Sequence, residues 1–177
     1  NGWRQDGQQI ALIARQRDPA TYNGWDLNAG VFHQGQHNLL TLDGAYRLPV
    51  TSSTGLEIFI NRDWVETQRS LERGIHFTYW GASVDQQLGQ HLTVVGLVGQ
   101  QAFSDSNSRL HGRFKLIYQP WLDSGLTLQL RHRRYHSNAD NVEGNYFNPK
   151  KYDESMLAAG WRKQYQGWRT SLTIGMG

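Results

Sequence analysis

Apolar and polar residues alternate with a period of two along most of this chain, and helical periodicity is nearly absent. A period of two sends successive side chains to opposite faces of a strand. The clearest run is 109–119. There Leu110, Gly112, Phe114, Leu116 and Tyr118 share one face, while Arg109, His111, Arg113, Lys115 and Gln119 share the other. The next run sets Leu126, Leu128 and Leu130 against Thr127, Gln129, Arg131 and Arg133. Further on, Leu157, Ala159 and Trp161 oppose Ala158, Gly160 and Arg162, and Trp168, Thr170, Leu172, Ile174 and Met176 oppose Arg169, Ser171, Thr173 and Gly175. Runs at 9–17, 24–33, 37–48, 55–64, 73–83 and 90–102 alternate less strictly. Ile13 and Phe59 fall on the polar face, and 92–98 fits either phase. The pattern predicts about ten strands of roughly 8–12 residues, joined by turns rich in Gly, Ser, Asp and Gln.

The predicted connections alternate in length. Segments 49–55, 84–90, 120–125 and 164–167 read as tight links, 137–150 as a long loop, and 65–73 and 103–108 as moderate ones. Short turns at one end and longer loops at the other are the layout of an up-and-down outer-membrane β-barrel. Tyr46, Tyr79, Tyr118 and Trp161 are each expected on the apolar face shortly before a tight link, with Trp168 beside the last one. Such a row would form an interfacial aromatic girdle.

A soluble barrel or sandwich shows the same alternation with the apolar face turned inward. Three features favour the membrane: long, even strands; small residues on the apolar faces (Gly44, Gly81, Gly112, Ala159); and Arg and Lys in mid-strand on the polar faces. Ten strands would close into a narrow, side-chain-filled barrel. The last strand stops at Ile174-Gly175-Met176-Gly177 without a terminal aromatic, so a wider barrel with strands missing from this chain is expected.

Composition changes this picture little. The 177 residues suit one domain spanning 1–177. No apolar run of about 18 residues is present, which excludes a transmembrane helix. The absence of cysteine removes disulfides, thiolate metal sites and Cys nucleophiles together. Seven Trp, 8 Tyr and 6 Phe at a mean hydropathy of −0.65 argue against disorder. The first six residues have no apolar core, so no signal peptide is expected.

The densest charge lies at 107–135, with six Arg or Lys against one acid, Asp123. In a lumen, Arg109, Arg113, Lys115, Arg131 and Arg133 would line one wall on two neighbouring strands. Such residues favour anions or hydroxyl-rich solutes. Arg162, Arg169, Tyr135 and Trp80 extend the expected lining, the two aromatics as stacking surfaces for sugars. Asp43, Glu57 and Asp26 are the acids that would face the wall across a barrel, and on a ligand-free reading they compensate it. Nucleic acid is a poor partner, because the net charge is only +3 and the cations alternate with an apolar face.

Catalytic and metal constellations are not expected. His136 and Ser137 resemble part of the His-X-Ser-Asn signature of outer-membrane lipid hydrolases. Adjacent residues of a strand point to opposite faces, however, and a nucleophile must lie within reach of its base. The seven His lack metal-ligand spacing. Asp153 and Glu154, as neighbours, cannot face one another as a glycosidase pair does. No cofactor is expected.

The order Tyr146-Phe147-Asn148-Pro149, a strand, a tight turn flanked by Trp161 and Trp168, and a strand ending in Gly175-Met176-Gly177 resembles the barrels of exopolysaccharide export porins. The poly-β-1,6-N-acetylglucosamine type is nearest and the cellulose-export subunit next. Arg133-Arg134-Tyr135-His136-Ser137-Asn138 before a polar loop is similar too. The resemblance covers about 131–177, roughly a quarter of the chain. It implies a barrel of about sixteen strands in the bacterial outer membrane, preceded by a periplasmic helical-repeat region that this chain lacks. The implied function is passive conduction of an exopolysaccharide supplied by periplasmic and inner-membrane synthesis and export components. One departure stands out: a pore for cationic polyglucosamine should be acidic, whereas the expected wall is basic. A barrel-embedded lipid hydrolase and a soluble β-rich binding module remain as alternatives.

Overall fold

Alternation over 9 to 15 residues at a time leaves each segment one apolar and one polar edge, and the chain satisfies both as strands of a single sheet. The computed structural model describes residues 7–138, 144–165 and 168–177, apart from the side chains at 164, 165, 168 and 169. The strands are β1 (Gly7–Arg17), β2 (Gly24–Gln34), β3 (His37–Pro49), β4 (Thr54–Trp64), β5 (His76–Leu88), β6 (Leu92–Phe103), β7 (Ser108–Tyr118), β8 (Leu126–Ser137), β9 (Lys151–Tyr165) and β10 (Trp168–Met176). Each pairs antiparallel with its sequence neighbours in the order β1 to β10. The fold is thus an all-β, up-and-down antiparallel sheet. Among the described residues no ladder joins β1 to β10, so the sheet is open.

Connection lengths follow the expected asymmetry only in part: 119–125, expected tight, is longer than 104–107, expected moderate, and two connections are added. The links at 50–53, 89–91 and 119–125 share one end with 18–23; the fourth tight link, at 166–167, lies outside the described residues. The segments 65–75, 104–107 and 138–150 share the other end, of which 139–143 lie outside the described residues. That end also holds the two-residue turn Gly35-Gln36. The β4–β5 link contains α1 (Gln68–Glu72), which the alternation did not reveal. Thr67 caps it, its hydroxyl accepting from the Ser70 backbone N–H at 3.3 Å. In the β7–β8 link Gly125 is left-handed (φ 74°) after a 3-10 turn, and any Cβ there would strike the Arg162 carbonyl oxygen of β9.

Register sorts the side chains into two faces. Val94, Leu116, Leu130 and Leu157 sit opposite one another on consecutive strands, as do Tyr46, Ile58, Ala82 and Val98 further round. This apolar face is bare: Ile10, Leu12, Val98, Leu172 and Ile174 are all more than half exposed. The 92–98 segment resolves with Leu92, Val94, Gly96 and Val98 on it and Val95 and Leu97 on the polar side. Phe59 takes the polar face as expected.

Three expectations on β5 are corrected. Tyr79, expected in the apolar girdle, lies on the polar face between Phe59 and His111, with ring centroids 5.1 Å from each. Trp80, expected in the lumen lining, lies on the apolar face opposite Ile60, 43% exposed. Gly81 goes with Tyr79 to the polar side, beneath the Phe59 ring. Tyr46, Tyr118 and Trp161 keep the apolar face near the short-link end, joined there by Trp25, opposite Tyr46.

Buried apolar residues concentrate at the other end. Leu39, Trp64, Ile75, Phe103 and Tyr135 sit at or near strand ends beside the longer loops; Ala158, in mid-strand, is the exception.

Gly99, on the polar face of β6, tests this packing, because a Cβ there would lie 2.6 Å from the Tyr79 ring. Gly99→Val should destabilise the sheet by about 1–3 kcal/mol through overpacking. Gly112→Ala, whose Cβ meets nothing within 4 Å, should change stability by less than about 0.5 kcal/mol. Urea unfolding followed by tryptophan fluorescence reads both.

Candidate functional site

Antiparallel pairing of β7 with β8, joined by the 119–125 link, puts five of the six Arg and Lys of the 107–135 segment on the polar face; Arg134, opposite Gly112, lies on the other. Arg113 stands opposite Arg133 and Lys115 opposite Arg131; Arg109 is opposite Ser137, and His111 opposite Tyr135. Like charges directly opposite in a sheet repel, so these two pairs need a compensating partner. Among the described residues only Arg133 of these four has a carboxylate partner: its Nε donates to Glu154 of β9 at 3.0 Å, and its guanidinium lies 5.2 Å from the Tyr152 ring. Arg131 donates to Gln129 Oε1 at 2.7 Å. Among the described residues, Arg113, Lys115 and Arg131 pair with no acid. They face a cavity of about 500 Å³, whose remaining lining includes Val95 and Leu97 of β6 and Met156 of β9.

The acids expected to compensate this wall are engaged elsewhere. Asp26 and Glu57 both take Arg17, and Asp43 accepts from Asn61 Nδ2 at 2.9 Å; Asp85, not among those expected, takes Arg47 at 2.7 Å. All of these lie on β1–β5. The polar face is therefore divided into one half where acids and arginines pair with one another and another half carrying surplus positive charge. Arg162 is on the polar side at the short-link end, with its side chain exposed; the side chains of Arg169 and Trp168 lie outside the described residues.

Arg109 serves a different purpose from the other cations. Its Nε donates to Ser137 Oγ at 3.2 Å, while another nitrogen donates to the Phe147 carbonyl at 3.0 Å and to Asn148 Oδ1 at 2.9 Å. Its guanidinium lies 4.5 Å from the Tyr135 ring, which stacks on Tyr152 at 4.8 Å. The segment 144–150 is thereby folded over the rim. Asn107 Nδ2 donates to the Tyr146 hydroxyl and to Asn148 Oδ1, both at 3.0 Å, and Tyr146 in turn donates to Asp105. Burial pushes the Tyr146 phenol above its ordinary range, and the Asp105 carboxylate pushes it further, so it stays a donor at neutral pH. Tyr146 also stacks on Phe103 at 4.7 Å. On the far side, the hydroxyls of Thr67 and Ser70 both donate to the Asn145 carbonyl, Ser70 at 2.9 Å. Alternation says nothing of these loop contacts. The aromatic and amide residues packed into 145–148 were the one available signal.

Ser137 and His136 fall on opposite faces at the end of β8. Ser137 is fully buried under Arg109, and His136 is exposed on the apolar side. Asp153 and Glu154 likewise diverge, toward Arg134 and Arg133. Among the described residues no three His, Asp or Glu gather as a metal site would require.

No family model matches the chain, and neither a curated protein nor a solved structure matches it.

Arg109→Ala should free the rim. Losing its charge-assisted bonds should lower the opening free energy of 144–150 by about 2 kcal/mol, read as faster limited proteolysis there. Ser137→Ala should give a smaller effect in the same direction. His136→Ala should stay within about 0.5 kcal/mol of the parent chain.

Proposed function

We propose that this chain is part of a transmembrane β-barrel of the bacterial outer membrane, and that its polar face lines a conduit for a secreted exopolysaccharide. The observation that carries this reading is the bare apolar face. Ten strands present apolar residues to their surroundings, among them Leu110, Phe114, Leu128, Leu157 and Ile174, and no second layer of the described residues covers them. Monomeric soluble proteins rarely expose contiguous apolar area of more than a few hundred Å². Lipid is the medium in which such a face costs nothing. Strands of 11 to 13 residues, as in β2 to β8, are long enough to cross the hydrocarbon. Tyr46, Tyr118, Trp161 and Trp25 at one end of the apolar face then lie at headgroup depth.

Conduction, in this reading, rests on groups that exchange hydrogen bonds with hydroxyl-rich chains: Arg113, Arg131 and Arg133 and the amides Gln101 and Gln129. Tyr135, expected as a stacking surface, is buried against the Arg109 guanidinium and the Tyr152 ring. Binding must be weak and distributed for a polymer to keep moving. The partners are the polymer itself, outer-membrane lipid, and the periplasmic and inner-membrane components whose synthesis reaction drives it outward. The poly-N-acetylglucosamine type implied by the resemblance is uncharged, or cationic when deacetylated, and the surplus charge on β7–β8 does not suit it. The proposal is therefore made for exopolysaccharides as a class.

Leu128→Arg decides between lipid and water around the apolar face. In a membrane the change should cost about 2–4 kcal/mol and reduce the folded, detergent-extracted protein recovered from the membrane fraction. In water, an exposed Leu→Arg is harmless or improves solubility. Recovery of the variant from the soluble fraction at full stability would sink the membrane reading.

A further inference from the structure

We propose that the cavity between β6 and β9 is a subsite for an anionic polysaccharide, gripping the carboxylates carried along its sugar chain with Arg113, Lys115 and Arg131. This rests on the conduit reading and narrows its cargo. Three independent observations converge on it. First, the register forces two like-charged pairs, Arg113 with Arg133 and Lys115 with Arg131, into direct opposition. Pairs of this kind destabilise a sheet unless something negative sits between them. Second, no acid among the described residues fills that need. Glu154 takes Arg133 alone, and Asp26, Glu57 and Asp85 are taken by Arg17 and Arg47 on the far half of the face. Third, these cations line a cavity of about 500 Å³ together with Arg133 and its partner Glu154, so four Arg or Lys face one acid there; the volume is typical of small-ligand sites.

The arrangement favours a polymer over a single small anion. The two cation rows are two residues apart along the strands, a separation of about 7 Å. Charge is therefore presented as a short ladder, without the convergence on one point that a phosphate site needs. Val95, Leu97 and Met156 supply apolar surface beside the ladder, suited to the C–H faces of a sugar ring. Arginine matches a carboxylate with two parallel donors, whereas lysine contributes a point charge.

The test is equilibrium binding to the purified full chain in detergent, with hexagalacturonate, the neutral hexamer of N-acetylglucosamine, the cationic glucosamine hexamer and inorganic phosphate as probes. Hexagalacturonate should bind at least about tenfold more tightly than either amino-sugar hexamer, with an affinity that falls as salt rises. Arg131→Glu should weaken it by about tenfold or more while leaving the thermal midpoint unchanged or raised, because Lys115 then gains an opposite charge. The combined Arg113→Gln and Lys115→Gln variant should lose binding as well, without any new ion pair. Equal affinity for the neutral hexamer, no binding of hexagalacturonate, or retained affinity in both variants would overturn the proposal. Displacement by phosphate as effective as by hexagalacturonate would reduce the site to one for free anions and overturn it too. Because binding is measured in detergent, failure here leaves membrane insertion standing, and failure of Leu128→Arg to behave as expected leaves the binding result readable.

Discussion

A sheet one layer thick has no second layer in which to hide a misplaced side chain, so the register of its ladders governs what each surrounding medium meets. The side-chain period is two, and a slip of a single residue between β7 and β8 would carry Arg131 and Arg133 to the apolar face and Leu128 and Leu130 to the polar one. The links hold that register. Short connections such as 50–53 and 89–91 leave little room to slide, and Gly125 fits its turn against the Arg162 carbonyl of the next strand but one. Packing on the polar side reinforces it, because the Phe59, Tyr79, His111 and Tyr135 rings touch in sequence across β4, β5, β7 and β8. Around that aromatic row the charged residues are apportioned.

Charge on the polar face obeys locality more than overall balance. Arg17 and Arg47 find acids on strands near their own, and Arg133 finds one on β9. Neutralisation across the face would require long reaches through water, where Coulomb attraction is weak and screened. Pairing therefore stays within a few strands, as when Arg47 passes over β4 to reach Asp85, and the surplus collects where the sequence places cations on two adjacent strands with a single acid beside them.

Much of this was legible in the sequence because alternation is a strong signal when both faces differ in polarity. All ten strands, their order and the shared face of Arg109, Arg113, Lys115, Arg131 and Arg133 follow from it. The failures have physical causes. On β5 both phases carry aromatics, and anchoring the strand on Tyr79 and Gly81 set it one residue out. Ser83, Asp85 and Gln87, polar residues in phase with Tyr79, marked the correct choice. The membership of α1 in the 65–75 link escaped because a five-residue helix has too few turns to show a period. The fastening of 144–150 to the rim escaped for a different reason: its partners, Thr67, Ser70, Asp105 and Arg109, are distant in sequence and lie in loops or at a strand end.

That last feature also sets a timetable. Almost every contact in the sheet joins a strand to its immediate neighbour in the chain, so assembly can proceed hairpin by hairpin with little loop entropy to overcome at each step. The rim is the exception: Asn145 meets Thr67 and Ser70 across 78 and 75 residues. Such a contact gains from closure only once the intervening strands are already zipped. The rim therefore organises only after β5 to β8, and until then those strands stand paired with their long-loop end unfastened.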